Sequence, residues 1–235
     1  MTVFGLIQAR MGSSRLPGKV MMPLAGEPLF LRIGERMAQV SGLSGVILAT
    51  TTDPRNDAMA ALAADHGMVV ARWAAEDDIA GRLKLALDLS GAEALLKINA
   101  DCPLADPAIM QLVLDAYLAG PDPDVASNKV EPSYPLGYSV ELISARALRW
   151  CERNLREAED RELVIKWILD RPERFPAVSV RCESDHSHLN LTVDTPEDYA
   201  LMAEIYSALH GHDPLFGMEP VLRYLAERDP KIDGC

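Results

Sequence analysis

The sequence predicts an α/β fold with a mostly parallel sheet and helices on both faces. Three observations carry this. Short apolar runs bounded by turn formers recur through the first half of the chain, and helix-like segments lie between them. Two of those segments open on Asp-Pro, a capping residue followed by a first-turn proline. Alternation of this kind closes by right-handed crossovers into a parallel sheet.

Val3–Ile7, Val46–Thr50, Met68–Ala71 and Ala94–Ile98 are short and apolar and read as buried strands. Helices are expected over 28–40, with Pro28 at the first helical position, and over 55–66, 76–90 and 106–119. Asp53-Pro54 and Asp106-Pro107 supply the caps. Gly120-Pro121-Asp122-Pro123-Asp124 is a turn-rich break. Beyond it a strand is expected near Val125–Asn128, a loop around Glu131–Tyr138 and a strand over Ser139–Ile143. Helices follow over Ala145–Leu155 and Arg161–Leu169, strands over Val178–Arg181 and Leu189–Val193, and helices over Pro196–Leu209 and Met218–Arg228. The polar tail Pro230–Cys235 is expected to be mobile.

The chain has 235 residues, 49% hydrophobic and 25% charged, which excludes disorder as its main state. The longest apolar stretches, such as Gly45–Ala49 and Ala58–Ala64, fall far short of the roughly 18 residues that span a bilayer. Lysine and arginine number 23 against 35 acids, a formal charge of 23 − 35 = −12. Such a chain is repelled by phosphate backbones and anionic lipid, so neither nucleic acid nor a membrane is an expected partner. The N-terminus lacks the basic start and longer apolar core of a signal peptide, and the cytoplasm is the expected compartment. Cys102, Cys151, Cys182 and Cys235 form no Cys-x-x-Cys pair and read as reduced thiols.

The segment Gln8-Ala9-Arg10-Met11-Gly12-Ser13-Ser14-Arg15-Leu16-Pro17-Gly18-Lys19 follows the first strand, at a carboxyl end of the sheet where doubly wound folds bind ligands. Residues 1–26 contain Arg10, Arg15 and Lys19 and no acid, a local inversion of sign in an acidic protein. Glycine and serine let backbone N–H groups approach an oxyanion, and three cations can neutralise a triphosphate. The alternative is a solvated basic loop. It is not a Walker A loop: five residues separate Gly12 from Gly18, and Val20 stands where a magnesium-binding hydroxyl would be.

Two aspartates each follow an apolar run, Asp101 after Leu95–Ala100 and Asp194 after Leu189–Val193. Carboxylates at the ends of adjacent parallel strands would converge, and Mg²⁺ needs few of them when phosphate and water complete its shell. Alternatively, Asp194-Thr195-Pro196-Glu197-Asp198 is only a helix cap; both can hold, with Asp194 as ligand and Thr195 as cap. Asp122-Pro123-Asp124 matches an Asp-x-Asp metal pattern but reads as a turn, His186 and His188 as an incidental pair, and Glu76-Asp77-Asp78 as a solvated helix start.

Together, Ile7–Lys19, Lys97–Pro107 and Thr192–Asp198 resemble cytidylyltransferases of the spore coat polysaccharide biosynthesis protein F type, relatives of the 3-deoxy-manno-octulosonate and acylneuraminate cytidylyltransferases. The resemblance spans roughly residues 3–209 and implies a nucleotide-diphospho-sugar transferase fold, Rossmann-like, in a single domain over 1–235. Residues 1–128 would form the nucleotide-binding half, 129–185 an acceptor and dimerisation extension, and 186–235 the return to the core sheet. It implies CTP as substrate, Mg²⁺ as cofactor and a homodimer. Arg10, Arg15 and Lys19 would act on the CTP phosphates as catalytic residues, and Gln8, Ala9, Gly12, Ser13, Ser14, Arg82 and Asp101 would bind the nucleotide. Asp101 and Asp194 match the family's magnesium-binding aspartates. The reaction implied is attack of a sugar hydroxyl on the α-phosphorus, giving a CMP-sugar for surface glycan assembly.

On the acceptor side the family's Tyr-Pro-Asp-Gly-Leu-Asp-Val-Glu reads Tyr134-Pro135-Leu136-Gly137-Tyr138-Ser139-Val140-Glu141 here, so two acids are replaced. A family Arg-Glu-His reads Arg161-Glu162-Leu163. Tyr134, Ser139 and Glu141 are the expected acceptor contacts. Two other functions compete: a glycosyltransferase consuming a nucleotide sugar, which needs less cationic charge than the Arg10–Lys19 loop offers, and a nucleotide-binding relative without catalysis.

Overall fold

A computed structural model describes residues 1–228; the tail at 230–235, with Cys235, lies outside them. The strands are β1 (Val3–Gln8), β2 (Pro23–Leu24), β3 (Glu27–Pro28), β4 (Leu43–Thr51), β5 (Val69–Trp73), β6 (Ala94–Asn99), β7 (Val125–Ser127), β8 (Glu141–Ser144) and β9 (Ala177–Ser179). The helices are α1 (Leu29–Met37), α2 (Asp57–Asp65), α3 (Ile79–Ser90), α4 (Pro107–Ala119), α5 (Ala145–Asn154), α6 (Ala158–Glu162), α7 (Val164–Leu169), α8 (Pro196–Leu209) and α9 (Met218–Arg228).

Seven strands form one sheet in the order β5-β4-β1-β6-β8-β7-β9. The β1–β4, β1–β6, β4–β5 and β7–β9 pairs are parallel, and β8 runs antiparallel to both β6 and β7. Period-2 alternation divides the buried side chains between two faces. Ile7, Leu48, Leu96 and Leu142 pack with Phe30 of α1, Met59 of α2, Val113 of α4, Ile205 of α8 and Leu225 of α9. Leu6, Ile47, Leu95 and Ile143 pack with Leu83 of α3, Leu148 of α5 and Ile168 of α7. The fold is the mostly parallel α/β sheet expected, with helices on both faces and β8 inserted antiparallel.

Local chemistry fixes the helix ends. Asp78 accepts a hydrogen bond from Gly81 N–H to open α3, which closes on left-handed Gly91. Asp106 caps α4 ahead of Pro107, Ser144 caps α5, and Thr195 with Asp198 forms a full capping box on α8.

Several expectations need correction. Leu189–Val193 is not a strand: it makes a single parallel bridge, Leu136 to Asn190. Thr192 N–H donates to the Asn190 side chain at 3.1 Å, and this local turn replaces further rungs of a ladder. The helix expected over Arg161–Leu169 begins at Ala158 and breaks at Leu163 (φ −92°, ψ 28°) into α6 and α7. Pro28 is not the first helical residue; extended at φ −53°, ψ 140°, it ends the β2–β3 hairpin, which no sequence pattern announced, and leads into α1. The strand expected over Ser139–Ile143 occupies Glu141–Ser144, because Lys97 of β6 pairs with Glu141.

Candidate active site

The chain passes from β1 out to β4 and β5, then returns to the other side of β1 with β6. The carboxyl ends of β1 and β6 therefore flank the crevice where doubly wound sheets place their ligands. Here lies a cavity of about 360 Å³ whose lining includes Gln8, Ala9, Arg10, Ser13, Ser14, Arg15, Lys19, Arg82, Asp101 and Asp194. Of the expected nucleotide and metal residues, only Gly12 is outside this lining; a Cβ on it would lie 3.1 Å from Glu76 Oε1.

The basic loop is a folded unit. Gly18 N–H donates to Met11 O at 3.0 Å, with Gly18 at φ +75°, a left-handed conformation that favours glycine. Leu16 N–H donates to Ser13 Oγ at 3.3 Å, and Met11 N–H donates to Asn56 Oδ1 at 2.9 Å. The turn after Gly18 directs Lys19 inward, where it is only 8% exposed.

Lys19 is the hub of the site. Its Nζ donates to Val193 O at 2.8 Å and to Asp194 Oδ1 at 2.8 Å, and stands 3.8 Å from Asp101 Oδ2. Arg15 Nη2 lies 3.0 Å from Asp194 Oδ2. Burial alone would raise the Asp194 pKa, but the Lys19 hydrogen bond and charge, Arg15 and the Thr192 hydroxyl together hold it below the usual carboxylate range. Thr195 rather than Asp194 caps α8, so the Asp194 carboxylate is not consumed by the helix. Asp101 arrives just past β6, and Val193 N–H donates to Asp101 O at 2.8 Å, which ties the two acidic segments together. The aspartates converge as expected, but through this backbone link and the Leu136–Asn190 bridge rather than from two adjacent strands. Two carboxylates within reach of one Nζ are a donor pair of the kind a hard divalent cation uses when phosphate and water complete its shell. No group of three or more acidic, histidine or cysteine ligands occurs among the described residues.

The opposite wall comes from the start of α3. Arg10 Nη1 lies 2.6 Å from Glu76 Oε1 and 3.5 Å from Asp77 Oδ1. Arg82 is 1% exposed and donates through Nη2 to Glu76 O; its Nε has no partner among the described residues. Burial, then the Arg10 charge, lower the Arg82 pKa. Glu76-Asp77-Asp78 is thus not a merely solvated helix start. Asp78 is chelated by Arg161, Nε to Oδ1 at 2.9 Å and Nη2 to Oδ2 at 3.0 Å, and also accepts from Trp73 Nε1 at 2.9 Å. This clamp brings α6 over the cavity, so Glu162 and Leu163 join its lining.

Tyr134, Ser139 and Glu141 do not line this cavity. Tyr134 is buried in the core beside α4 and α8. Glu141 is buried on β8, where Oε2 meets Lys97 Nζ at 2.9 Å and Oε1 meets Lys129 Nζ at 2.8 Å. Asp122-Pro123-Asp124 is a turn whose acids bind Arg146, Asp124 at 2.9 Å. Sequence patterns missed Glu76, Asp77, Asn99, Glu162 and Leu163 as cavity residues.

A family model described as Cytidylyltransferase matches residues 4–219. The spore coat polysaccharide biosynthesis protein SpsF of Bacillus subtilis is 28% identical, over 86% of this chain and 85% of its own length. A cytidylyltransferase structure from Leptospira borgpetersenii is similar with a TM-score of 0.89 at 26% identity, over 99% of this chain and 96% of that one. A CMP:2-keto-3-deoxy-manno-octonic acid synthetase complexed with CTP shares the fold with a TM-score of 0.68 at 17% identity, over 88% and 99% of the two chains. With Arg10, Arg15, Lys19 and Arg82 gathered in a crevice at the sheet's switch point and a family match that spans most of its length, the chain belongs to the cytidylyltransferase family and is a CTP-dependent nucleotidyltransferase.

Proposed function

We propose that the chain transfers the cytidylyl group of CTP to a hydroxyl of a sugar or sugar acid, releasing pyrophosphate and a CMP-sugar for surface polysaccharide synthesis. The observation that carries this is the convergence of Lys19, Asp101 and Asp194 in a cavity that also holds Arg10, Arg15 and Arg82. The acceptor oxygen bonds to the α-phosphorus, the bond from that phosphorus to the β-bridging oxygen breaks, and the acceptor proton leaves to solvent. Arg15 and Lys19 exchange Asp194 for phosphate oxygens, and Arg10 exchanges Glu76, so fixed positive charge meets the negative charge that develops in the transition state. The backbone of Gln8, Ala9, Ser13 and Ser14 with Arg82 frames the nucleotide, and Gly12 serves only the turn of the loop. Asp101 and Asp194 would hold a divalent cation, magnesium by preference for oxygen ligands, which supplies charge neutralisation at the phosphates. No protein nucleophile is needed. Residues 1–128 serve the nucleotide, 129–185 the acceptor and a homodimer contact, and 186–228 deliver Asp194.

Tyr134 and Ser139 belong to the stretch bonded through Leu136 to the segment that carries Asp194, and would act on the acceptor through it, whereas Glu141 would act from β8. Glu162 and Leu163, which line the cavity, would form the acceptor wall. The test is pyrophosphate release from CTP and Mg²⁺ with a panel of sugar acids, amino sugars and neutral sugars. Release that requires both CTP and an acceptor supports the proposal. Nucleotide-sugar consumption without pyrophosphate, or CTP binding with no release on any acceptor, overturns it.

A further inference from the structure

Lys97 and Glu141 face each other across the antiparallel β6–β8 pair, each side chain 5% exposed. A buried ion pair is at best near neutral for stability against well-packed apolar residues. Its geometry here has a second effect. Lys97 Nζ also donates to Asn99 Oδ1 at 2.7 Å, two residues along the same face of β6. An ammonium offers donors only, so the Asn99 amide must turn its oxygen to Lys97 and leave its two N–H donors for the cavity that Asn99 lines. Lys129 occupies the other Glu141 oxygen and completes the anchor.

Gln8 is the lateral neighbour of Asn99 in the parallel β1–β6 register, on the same face of the sheet and in the same cavity lining. Its Oε1 is buried without a hydrogen-bond partner among the described residues. The floor of the crevice therefore presents an oriented donor beside an unpaired acceptor. A hydroxyl is both acceptor and donor, and completes the pair where a phosphate oxygen or a carboxylate, which only accept, would leave Gln8 Oε1 unpaired.

We propose that Gln8 and Asn99 together read one sugar hydroxyl of a bound substrate, and that Lys97 with Glu141 is a positioning pair that locks the Asn99 amide in the donating orientation. The inference rests on the cytidylyl-transfer function proposed above. The hydroxyl belongs either to the ribose of CTP or to the acceptor, and the experiment separates these sources.

Calorimetric titration with CTP, 2′-deoxy-CTP and 3′-deoxy-CTP in Mg²⁺ is run on the wild type and on Asn99→Leu, which keeps the side-chain size. A ribose source is supported if the wild type binds one deoxy analogue about tenfold more weakly than CTP and Asn99→Leu abolishes that difference. An acceptor source is supported if all three nucleotides bind alike and Asn99→Leu raises the acceptor KM about tenfold with CTP affinity unchanged. The pair is tested with Lys97→Met/Glu141→Gln, which leaves neither charge alone in the interior. It should lose the same hydroxyl discrimination while still binding the nucleotide lacking that hydroxyl, a pattern that general loosening of the fold would not give. Unchanged discrimination and unchanged acceptor KM in Asn99→Leu overturn the hydroxyl assignment. The positioning role is overturned if the double variant keeps the ribose discrimination, or, where the source is the acceptor, if it keeps the wild-type acceptor KM. If the wild type binds no form of CTP, it is the proposed function that fails instead.

Discussion

Gly137 lies so close to Leu191 that a Cβ on it would sit 2.5 Å from the Leu191 carbonyl oxygen and 2.7 Å from its carbon. Gly137 also has φ +105°, where a side chain is strained. The loop it belongs to holds the Asp194 segment by two backbone hydrogen bonds, Leu136 N–H to Leu189 O at 2.9 Å and Leu191 N–H to Leu136 O at 2.8 Å. Gly137→Ala should cost about 1–3 kcal/mol of stability, read by urea unfolding. It should also lower turnover more than an alanine at exposed Gly211 does, because Leu191 can yield only by moving the run that ends in Asp194.

Lys19→Ala removes the cation that touches both candidate metal ligands. Turnover measured by pyrophosphate release should fall on the order of 10²–10³-fold, the usual loss for one preorganised charge stabiliser. Stability should fall much less, since Arg15 still pairs with Asp194 at 3.0 Å.

Acid should unfold the chain partly through Glu141. Burial raises its pKa, but Lys97 and Lys129 more than offset this and leave the carboxyl at about 2 against an ordinary 4.5. The folded state then binds fewer protons than the unfolded one between those values, so stability present above about pH 4.5 drains away as the pH falls toward 2. Thermal melts across that window should show a steeper decline for the wild type than for Glu141→Gln. At neutral pH, Glu141→Gln strands the Lys97 charge and should cost about 3–5 kcal/mol, much of which Lys97→Met restores.

Divalent ions and CTP should depend on each other. Asp194 is occupied by Lys19 and Arg15, so these two cations are released to phosphate only when something else meets its carboxylate. In Mg²⁺, CTP at about 100 times its Kd adds roughly 2.7 kcal/mol, a melting shift of about 5–10 °C for a chain of this size. Chelation with EDTA should shrink that shift severalfold and abolish pyrophosphate release. An equal shift with and without metal would show that the aspartates do not bind it.

Periodicity and Asp-Pro caps were enough to place β1, β4, β5, β6 and α2–α4, because each is a local pattern with its own start signal. The basic loop was equally legible: three cations without one acid in 26 residues is a sequence fact, and the loop lines the cavity. What escaped depended on pairings between distant residues. Arg10 finds Glu76 66 residues away, and nothing local marks that acid as a wall of the cavity. Glu141 was expected to face an acceptor; the antiparallel insertion of β8 beside β6 sets it against Lys97 instead, and an antiparallel neighbour in a parallel rhythm leaves no periodic trace. Asp194 was found for its position after an apolar run, although that run forms no strand.

The tie between Lys19 and Asp194 joins residues 175 positions apart. A ribosome adding about 5–20 residues per second needs roughly 9–35 s to make that much chain. For that interval the emerging N-terminal sheet carries Arg15 and Lys19, whose shared partner Asp194 has yet to be synthesised, while Arg10 already has Glu76 within reach. The basic loop therefore reaches its final charge balance only late in synthesis, when the segment that carries Asp194 closes over it.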